Sequence, residues 1–485
     1  MTRVDAMQRA LNTVLKTITG YLSPPPAPTL PRVEQDGSAA HAAPRVLLLT
    51  STLGSGHLRA AQAVEAALLE RRPAAKVQTL DFWSLMDEGV AQAVRQTYLR
   101  LVQERPELYD RIFQIDERTW RRILESNQAP PPSLAEGLEL LAATGGVGKA
   151  QPESNGGRHA LDRVLFRLFC AALPKRTSSG NRALVRGALI KWSRMRVARR
   201  LDARLRAFGP DVVVATQMHP AALLSFIKTR RGLGIPALGV LTDFGMHDFW
   251  IQPGIDCYCI AHESIAGLQN LASEPARLLA TGIPLMPGFR NPPSAREARL
   301  RLRLDPDAPV VIVLGGGLGL GVEAIAERLL VRPGHLQVLV LVGHNAAARK
   351  SLAPLAGRYP GRLGVWGWTE QMEVFIRAAD VVLGKPGGLT VAEALACGRP
   401  LLATRSLRGQ EGFNVRFLEQ HGVGHLVPED ELVKRIEFLL ANRGELAQIQ
   451  HRAWTLGRRD AAARIAELVL AFAQSRSHDE AMRKH

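Results

Sequence analysis

The sequence predicts an α/β protein of two doubly wound domains, each a parallel sheet wrapped by helices. Three observations carry this prediction. Short apolar runs of strand length alternate with helix-length segments. The alternation stops near Pro284–Pro293 and then starts again, and in both halves glycine-rich turns follow strands, where such sheets take their ligands. At 485 residues the chain is too long for one ordinary core, which agrees with more than one domain.

The chain opens with Val4, Met7, Leu11, Val14, Leu15, Ile18 and Leu22 at helical spacing, with Arg3, Arg9 and Lys16 off that stripe. A proline-rich linker, Ser23 to Pro44, separates this helix from the first strand, so its apolar stripe is open to docking on a membrane surface or on a distant part of the fold. Residues 45–285 then form the first Rossmann-like domain, with strands expected at Arg45–Thr50, Lys76–Leu80, Asp211–Thr216, Ala237–Thr242, Cys257–Ala261 and Leu278–Thr281. Residues 128–157 interrupt it with three consecutive prolines and six glycines, the composition of a flexible insert. The GGVGK inside that insert lacks the first glycine and the Ser/Thr of a P-loop, which excludes that reading. Residues 286–445 form the second domain, with strands expected at Val310–Leu314, Leu336–Val342, Leu363–Trp366, Asp380–Leu383 and Pro400–Ala403. Residues 446–485 read as a C-terminal helix and tail.

Composition narrows the class. A hydrophobic share of 46% is ample for burial. No run approaches the ~18 uninterrupted apolar residues of a membrane span, and no signal peptide is visible, so the chain is expected in the cytoplasm. The four cysteines, Cys170, Cys257, Cys259 and Cys397, fit neither a disulfide framework nor a zinc knuckle and read as reduced structural thiols.

The net charge of +17 is concentrated, because Arg158 to Arg206 holds 14 Lys and Arg against Asp162 and Asp202. Leu165, Phe166, Leu168, Phe169, Leu189, Ile190 and Trp192 lie among these charges, so the segment reads as basic amphipathic helices suited to anionic lipid. It matches no nucleic-acid-reading motif, and nucleic acid is not expected as a partner. Lys191, Arg194, Arg196, Arg199 and Arg200 are the candidate membrane contacts.

Three loops hold candidate chemistry. In TSTLGSGHLRAAQAV, Gly54 and Gly56 permit a tight strand-to-helix turn and set His57 in the first helical turn. A neutral imidazole there can take a proton from a hydroxyl. The loop Gly315, Gly316, Gly317 and onward to Gly321 is a diphosphate cradle that fails the dinucleotide fingerprint, since Leu320, Val322 or Ala324 falls where the last glycine belongs. An NAD-dependent enzyme is therefore disfavoured. In LGKPGGLTVAEALACGRP, Lys385, Pro386, Gly387 and Gly388 open a helix whose Glu393 is within reach of the hydroxyls of a ribose held at the helix start. Asp305-Pro306-Asp307 has the spacing of a metal-binding pair but precedes its strand, away from the cleft, so no metal site is expected.

SxxGxGH after the first strand, TDFGMHDFW at Thr242–Trp250, TGIPL at Thr281–Leu285, KPGGLTVAEALACG, and GQEGFN at Gly409–Asn414 follow one another in this order. Together they resemble the family of monogalactosyldiacylglycerol synthases and processive diacylglycerol glucosyltransferases, over roughly Arg45 to Leu470. The resemblance implies the GT-B fold, two Rossmann-like domains facing across a cleft, with a UDP-sugar donor held by the second domain and a lipid acceptor entering over the first. It implies that His57 activates the acceptor hydroxyl, that Glu393 holds the ribose, and that Gln410 and Glu411 read the sugar hydroxyls, with Asn414 beside them. Asp243 and His247 fall in the interdomain motif and are candidate catalytic residues. The reading is thus an inverting hexosyltransferase without a cofactor, peripheral on the cytoplasmic face of a membrane. The sequence leaves the oligomeric state and the donor sugar open. Alternatives are a transferase acting on a polyprenyl-diphosphate cell-wall precursor, a nucleotide-sugar epimerase, and an inactive nucleotide-sugar binding protein. The family's threonine-histidine-proline reads Thr216-Gln217-Met218-His219-Pro220 here, two residues longer, which leaves the place of His219 open.

Overall fold

A computed structural model of the chain describes residues 43–52, 54–86, 88, 91–92, 197–246, 250–265, 278–316, 319, 321–332, 334–404 and 410–482. The N-terminal helix, the 128–157 insert, Lys191, Arg194, Arg196, His247, Gly317, Cys170 and the side chain of Gln410 lie outside the described residues.

Each domain is built on a six-stranded sheet whose neighbouring strands pair in parallel. In the first, β1 (Arg45–Thr50), β2 (Lys76–Asp81), β3 (Val212–Ala215), β4 (Ala237–Val240), β5 (Cys257–Cys259) and β6 (Leu278–Leu279) lie in the order β2-β1-β3-β4-β5-β6. In the second, β7 (Val310–Leu314), β8 (Gln337–Leu341), β9 (Leu363–Trp366), β10 (Val381–Gly384), β11 (Leu401–Ala403) and β12 (Gly424–Leu426) lie in the order β12-β11-β10-β7-β8-β9. Central strands such as Val212–Ala215 and Val381–Gly384 are buried on both faces, the reason they read as unbroken apolar runs.

The eleven strands expected from the sequence all appear, several shortened by a residue or two. The twelfth, β12, has no apolar run to announce it. It lies at the sheet edge, and Gly424 is needed there because a Cβ would stand 2.0 Å from the carbonyl oxygen of Leu401.

Five helices matter below: α1 (Ser55–Arg71), α2 (Met218–Arg231), α3 (Gly388–Ala396), α4 (Gln410–Gln420) and α5 (Ala461–Met482). The C-terminal helix α5 does not stay with the second domain. Its Ile465, Ala466, Val469 and Phe472 pack with Val46, Leu48 and Val64 of the first, and Arg71 pairs with Glu467 at 2.6 Å. Crossing back buries the apolar stripe of α5, so the chain's end fastens the two domains together. Cys257, Cys259 and Cys397 are free and buried, as the sequence suggests.

Candidate functional site

In a doubly wound sheet, the crevice opens where neighbouring strands send their chains in opposite directions. In the first domain this point lies between β1 and β3, and in the second between β7 and β10. The loops singled out by their glycines leave the carboxyl ends of β1, β7 and β10.

At the first crevice, Gly54 has a φ of 89°, a conformation that L side chains rarely adopt, and it turns the chain into α1. Asp81 braces this loop: its carboxylate accepts from the amide of Thr52 at 3.0 Å and from the Thr52 hydroxyl at 2.7 Å. The indole N–H of Trp83 reaches Ser51 at 2.8 Å.

His57 then stands on α1 with Nδ1 at 2.9 Å from the carbonyl oxygen of Thr216 and 2.9 Å from the hydroxyl oxygen of Thr242. A carbonyl oxygen only accepts, so Nδ1 carries the proton and Nε2 is left with its lone pair. Burial holds the His57 pKa below the ordinary histidine value, against the opposing pull of Asp243 and of the bond to Thr216. The ring is neutral at physiological pH and its basic nitrogen is defined. Thr216 fixes the backbone as well, its hydroxyl donating to the His57 carbonyl at 3.0 Å. Sequence reasoning missed Asp81, Thr216 and Thr242 as supports. A strand-end threonine is common, and only the fold sets these three around one turn.

At the second crevice, a Cβ on Gly315 would come within 2.5 Å of the Cα of Gly319, and Gly316 has a φ of 63°, so both positions call for glycine. Helix α3 starts beside it, with Gly387 as N-cap and no side-chain cap, so its first N–H groups are left for another acceptor. Lys385 Nζ pairs with Glu411 at 2.8 Å. Glu393 lies inside α3, and burial pushes its pKa up to about 8, with the charge of Glu373 adding and that of Arg59 opposing. Asp305 and Asp307 lie at the opposite end of β7, Asp307 held by Arg296 at 3.1 Å, as the sequence implied. Among the described residues no cluster of His, Cys, Asp or Glu is disposed to hold a metal ion.

The two crevices face one another at close range. A Cβ on Gly388 would fall 1.9 Å from the carbonyl oxygen of Thr242, and one on Gly56 would touch Leu389 at 3.7 Å. Asn414 ties them. Its Oδ1 accepts from the Phe244 amide at 2.7 Å, while Nδ2 donates to Asp243 at 3.0 Å and to the Pro386 carbonyl at 2.9 Å. Fully buried, with both N–H groups used, Asn414 serves the domain contact in this structure, where the sequence reading set it beside the donor sugar. Asp243 acts on His57 through its charge and is held by Asn414. His219 sits in the first turn of α2, beside Gln217 at 2.6 Å. Of the proposed membrane contacts, Arg199 is exposed, whereas Arg200 is half-buried and donates to the Leu85 carbonyl at 2.9 Å. Arg200 thus ties its own helix to the Leu85 carbonyl.

Fold and crevices together define a two-domain protein of the GT-B architecture. The crystal structure of Acinetobacter baumannii MurG shares the fold, with a TM-score of 0.52 and 15% identity over 88% of this chain and 99% of that one. Residues 164–285 match the monogalactosyldiacylglycerol (MGDG) synthase family, and residues 310–465 the glycosyltransferase family 28 C-terminal domain. A "processive diacylglycerol beta-glucosyltransferase" of Bacillus pumilus is 28% identical over 53% of this chain and 68% of its own length. One from Bacillus cereus is 26% identical over 64% of this chain and 79% of its own. These matches make the chain similar to the monogalactosyldiacylglycerol synthase and diacylglycerol glycosyltransferase family.

Proposed function

We propose that this protein transfers a hexose, with inversion, from a UDP-sugar to a hydroxyl of a membrane lipid, diacylglycerol before others. The observation that carries the reading is the tautomer of His57, since a base with a defined free nitrogen beside a diphosphate cradle is what direct displacement needs. The acceptor hydroxyl gives its proton to Nε2 of His57, and its oxygen attacks the anomeric carbon as the bond to the leaving diphosphate breaks. One displacement inverts that centre. The leaving charge falls to the N–H groups opening α3, the loop at Gly315–Gly316 and Lys385. Glu393 accepts from the ribose hydroxyls. The names of the Bacillus relatives support diacylglycerol as acceptor.

The lipid is met at a bilayer surface. The basic segment Arg158–Arg206 supports this, since each basic side chain near an anionic surface contributes about 1 kcal/mol. Radiolabelled UDP-glucose, UDP-galactose and UDP-glucuronic acid offered with diacylglycerol, polyprenyl diphosphate and no acceptor test the reading. Label in a diacylglycerol product of inverted anomeric configuration is expected. Label only in a polyprenyl product, or an epimerised nucleotide sugar without transfer, overturns it.

A further inference from the structure

Two residues beyond His57 on α1, Arg59 leaves the first domain and enters the second. Its NH1 lies 2.7 Å from Glu370 Oε2, and the same NH1 reaches Gln62 of its own helix at 3.2 Å. Glu370 also accepts from the indole N–H of Trp368 at 2.8 Å, so one carboxylate holds the arginine and the tryptophan together. The guanidinium carbon sits 5.6 Å from the centre of the Trp368 ring. That ring in turn stacks on His344 at 4.5 Å and 12°. Trp368 and Glu370 follow β9 and His344 follows β8, so Arg59 meets the rim of the second crevice.

The exposures are unequal. The Arg59 side chain is 14% exposed and that of Glu370 65%. An ion pair with one partner that open to water adds little to stability. Holding the fold together does not explain it. Its geometry does have a consequence, because α1 carries both Arg59 and His57, and a constraint on one constrains the other.

We propose that Arg59 is a positioning residue, whose pairing with Glu370 against Trp368 holds α1 at the distance from the second domain that sets His57 over the donor site. The proposal rests on the function proposed above for its kinetic test, but the contact can be tested without it. Misplacing a base by about 1 Å costs up to ~10²-fold in rate, so a looser α1 is felt in turnover before it is felt in folding.

The experiment is a double-mutant cycle on the full chain with Arg59→Gln, Glu370→Gln and both together. Glu370→Gln is the cleaner arm because it leaves the arginine's charge beside Glu393. Expected is a fall in kcat of about ten-fold with donor KM within about two-fold, the signature of an interaction made in the transition state. The double variant should turn over no more slowly than Arg59→Gln alone, and Arg59→Lys should recover part of the loss. A wild-type kcat for Glu370→Gln, or a double variant slower than Arg59→Gln by the full Glu370→Gln factor, overturns the proposal. If the wild-type protein transfers no sugar, the proposed function fails and small-angle scattering decides the contact. A larger radius of gyration in both single variants than in wild type then supports the pairing as a domain contact, and an unchanged radius overturns it.

Discussion

The two crevices are alike in construction and opposite in content. Both lie at a switch of strand direction, both open on glycines, and both feed a helix start. In the first, the helix start carries His57, gripped by the Thr216 carbonyl and the Thr242 hydroxyl, and the loop is braced by Asp81. In the second, the helix start carries no capping side chain and the loop depends on glycine backbones. The difference shows how one device serves two ends: side chains fix an imidazole at the first crevice, which the proposed function gives to the acceptor, and glycine backbone opens the second, which it gives to the nucleotide. Breaking either should have effects of a distinct kind.

The largest effect is expected at the first crevice. His57→Ala should lower turnover by at least ~10²-fold, the low end for loss of a general base, while UDP affinity by calorimetry stays as in wild type. Because burial holds the His57 pKa below its ordinary value, wild-type turnover should rise with pH through a midpoint below ~6.5 and then level off. A midpoint above that value would contradict the buried neutral ring.

Next comes Glu393 at the second crevice, where Glu393→Ala should weaken UDP binding by about 0.5–1.5 kcal/mol, the range for a hydrogen bond to a neutral carboxyl, and leave the pH midpoint of turnover in place. The same carboxyl makes a separate stability prediction. Its pKa of about 8 lies above the ordinary glutamate value, so the folded state binds the extra proton and wild-type stability falls as pH rises from about 4.3 towards 8. Melting temperatures of Glu393→Gln should therefore gain on wild type across that window, and parallel curves would show that the group ionises freely.

Gly388→Ala probes the contact between the crevices. A methyl 1.9 Å from the Thr242 carbonyl oxygen must push the domains apart, at about 1–3 kcal/mol for an overpacked site, and turnover should fall with it. Wild-type urea stability and turnover would mean that the domains do not close this far in solution. The smallest change is expected from chelation: with backbone amides and Lys385 to take the leaving charge, excess EDTA should leave turnover unaltered. Loss that Mg²⁺ restores would relocate that role to a cation.

Membrane binding sharpens the contrast from outside the crevices. Co-sedimentation with anionic vesicles should weaken as salt rises, since the attraction is screened over ~8 Å at physiological ionic strength. Replacing Lys191, Arg194, Arg196 and Arg199 by Gln should release the protein, with Arg200 kept for its bond to Leu85. Undiminished sedimentation of that variant would turn attention to the apolar stripe that the sequence sets over Val4–Leu22.

Sequence by itself determined the two parallel sheets, because strands buried on both faces must be apolar throughout and so announce themselves. It also determined where the loops of interest lie, because glycine is the residue that permits turns such as those at Gly54 and Gly316. β12 stayed hidden, since an edge strand of three residues with a half-exposed pattern has no period to read. Tertiary structure alone decided the tautomer of His57, which depends on a carbonyl 159 residues away. It alone assigned Asn414 to the domain contact, paired Arg59 with Glu370, and returned α5 to the first domain. Each of these is a hydrogen bond, ion pair or packed face between residues remote in the chain, and local periodicity and motif spacing record only what neighbours in sequence require.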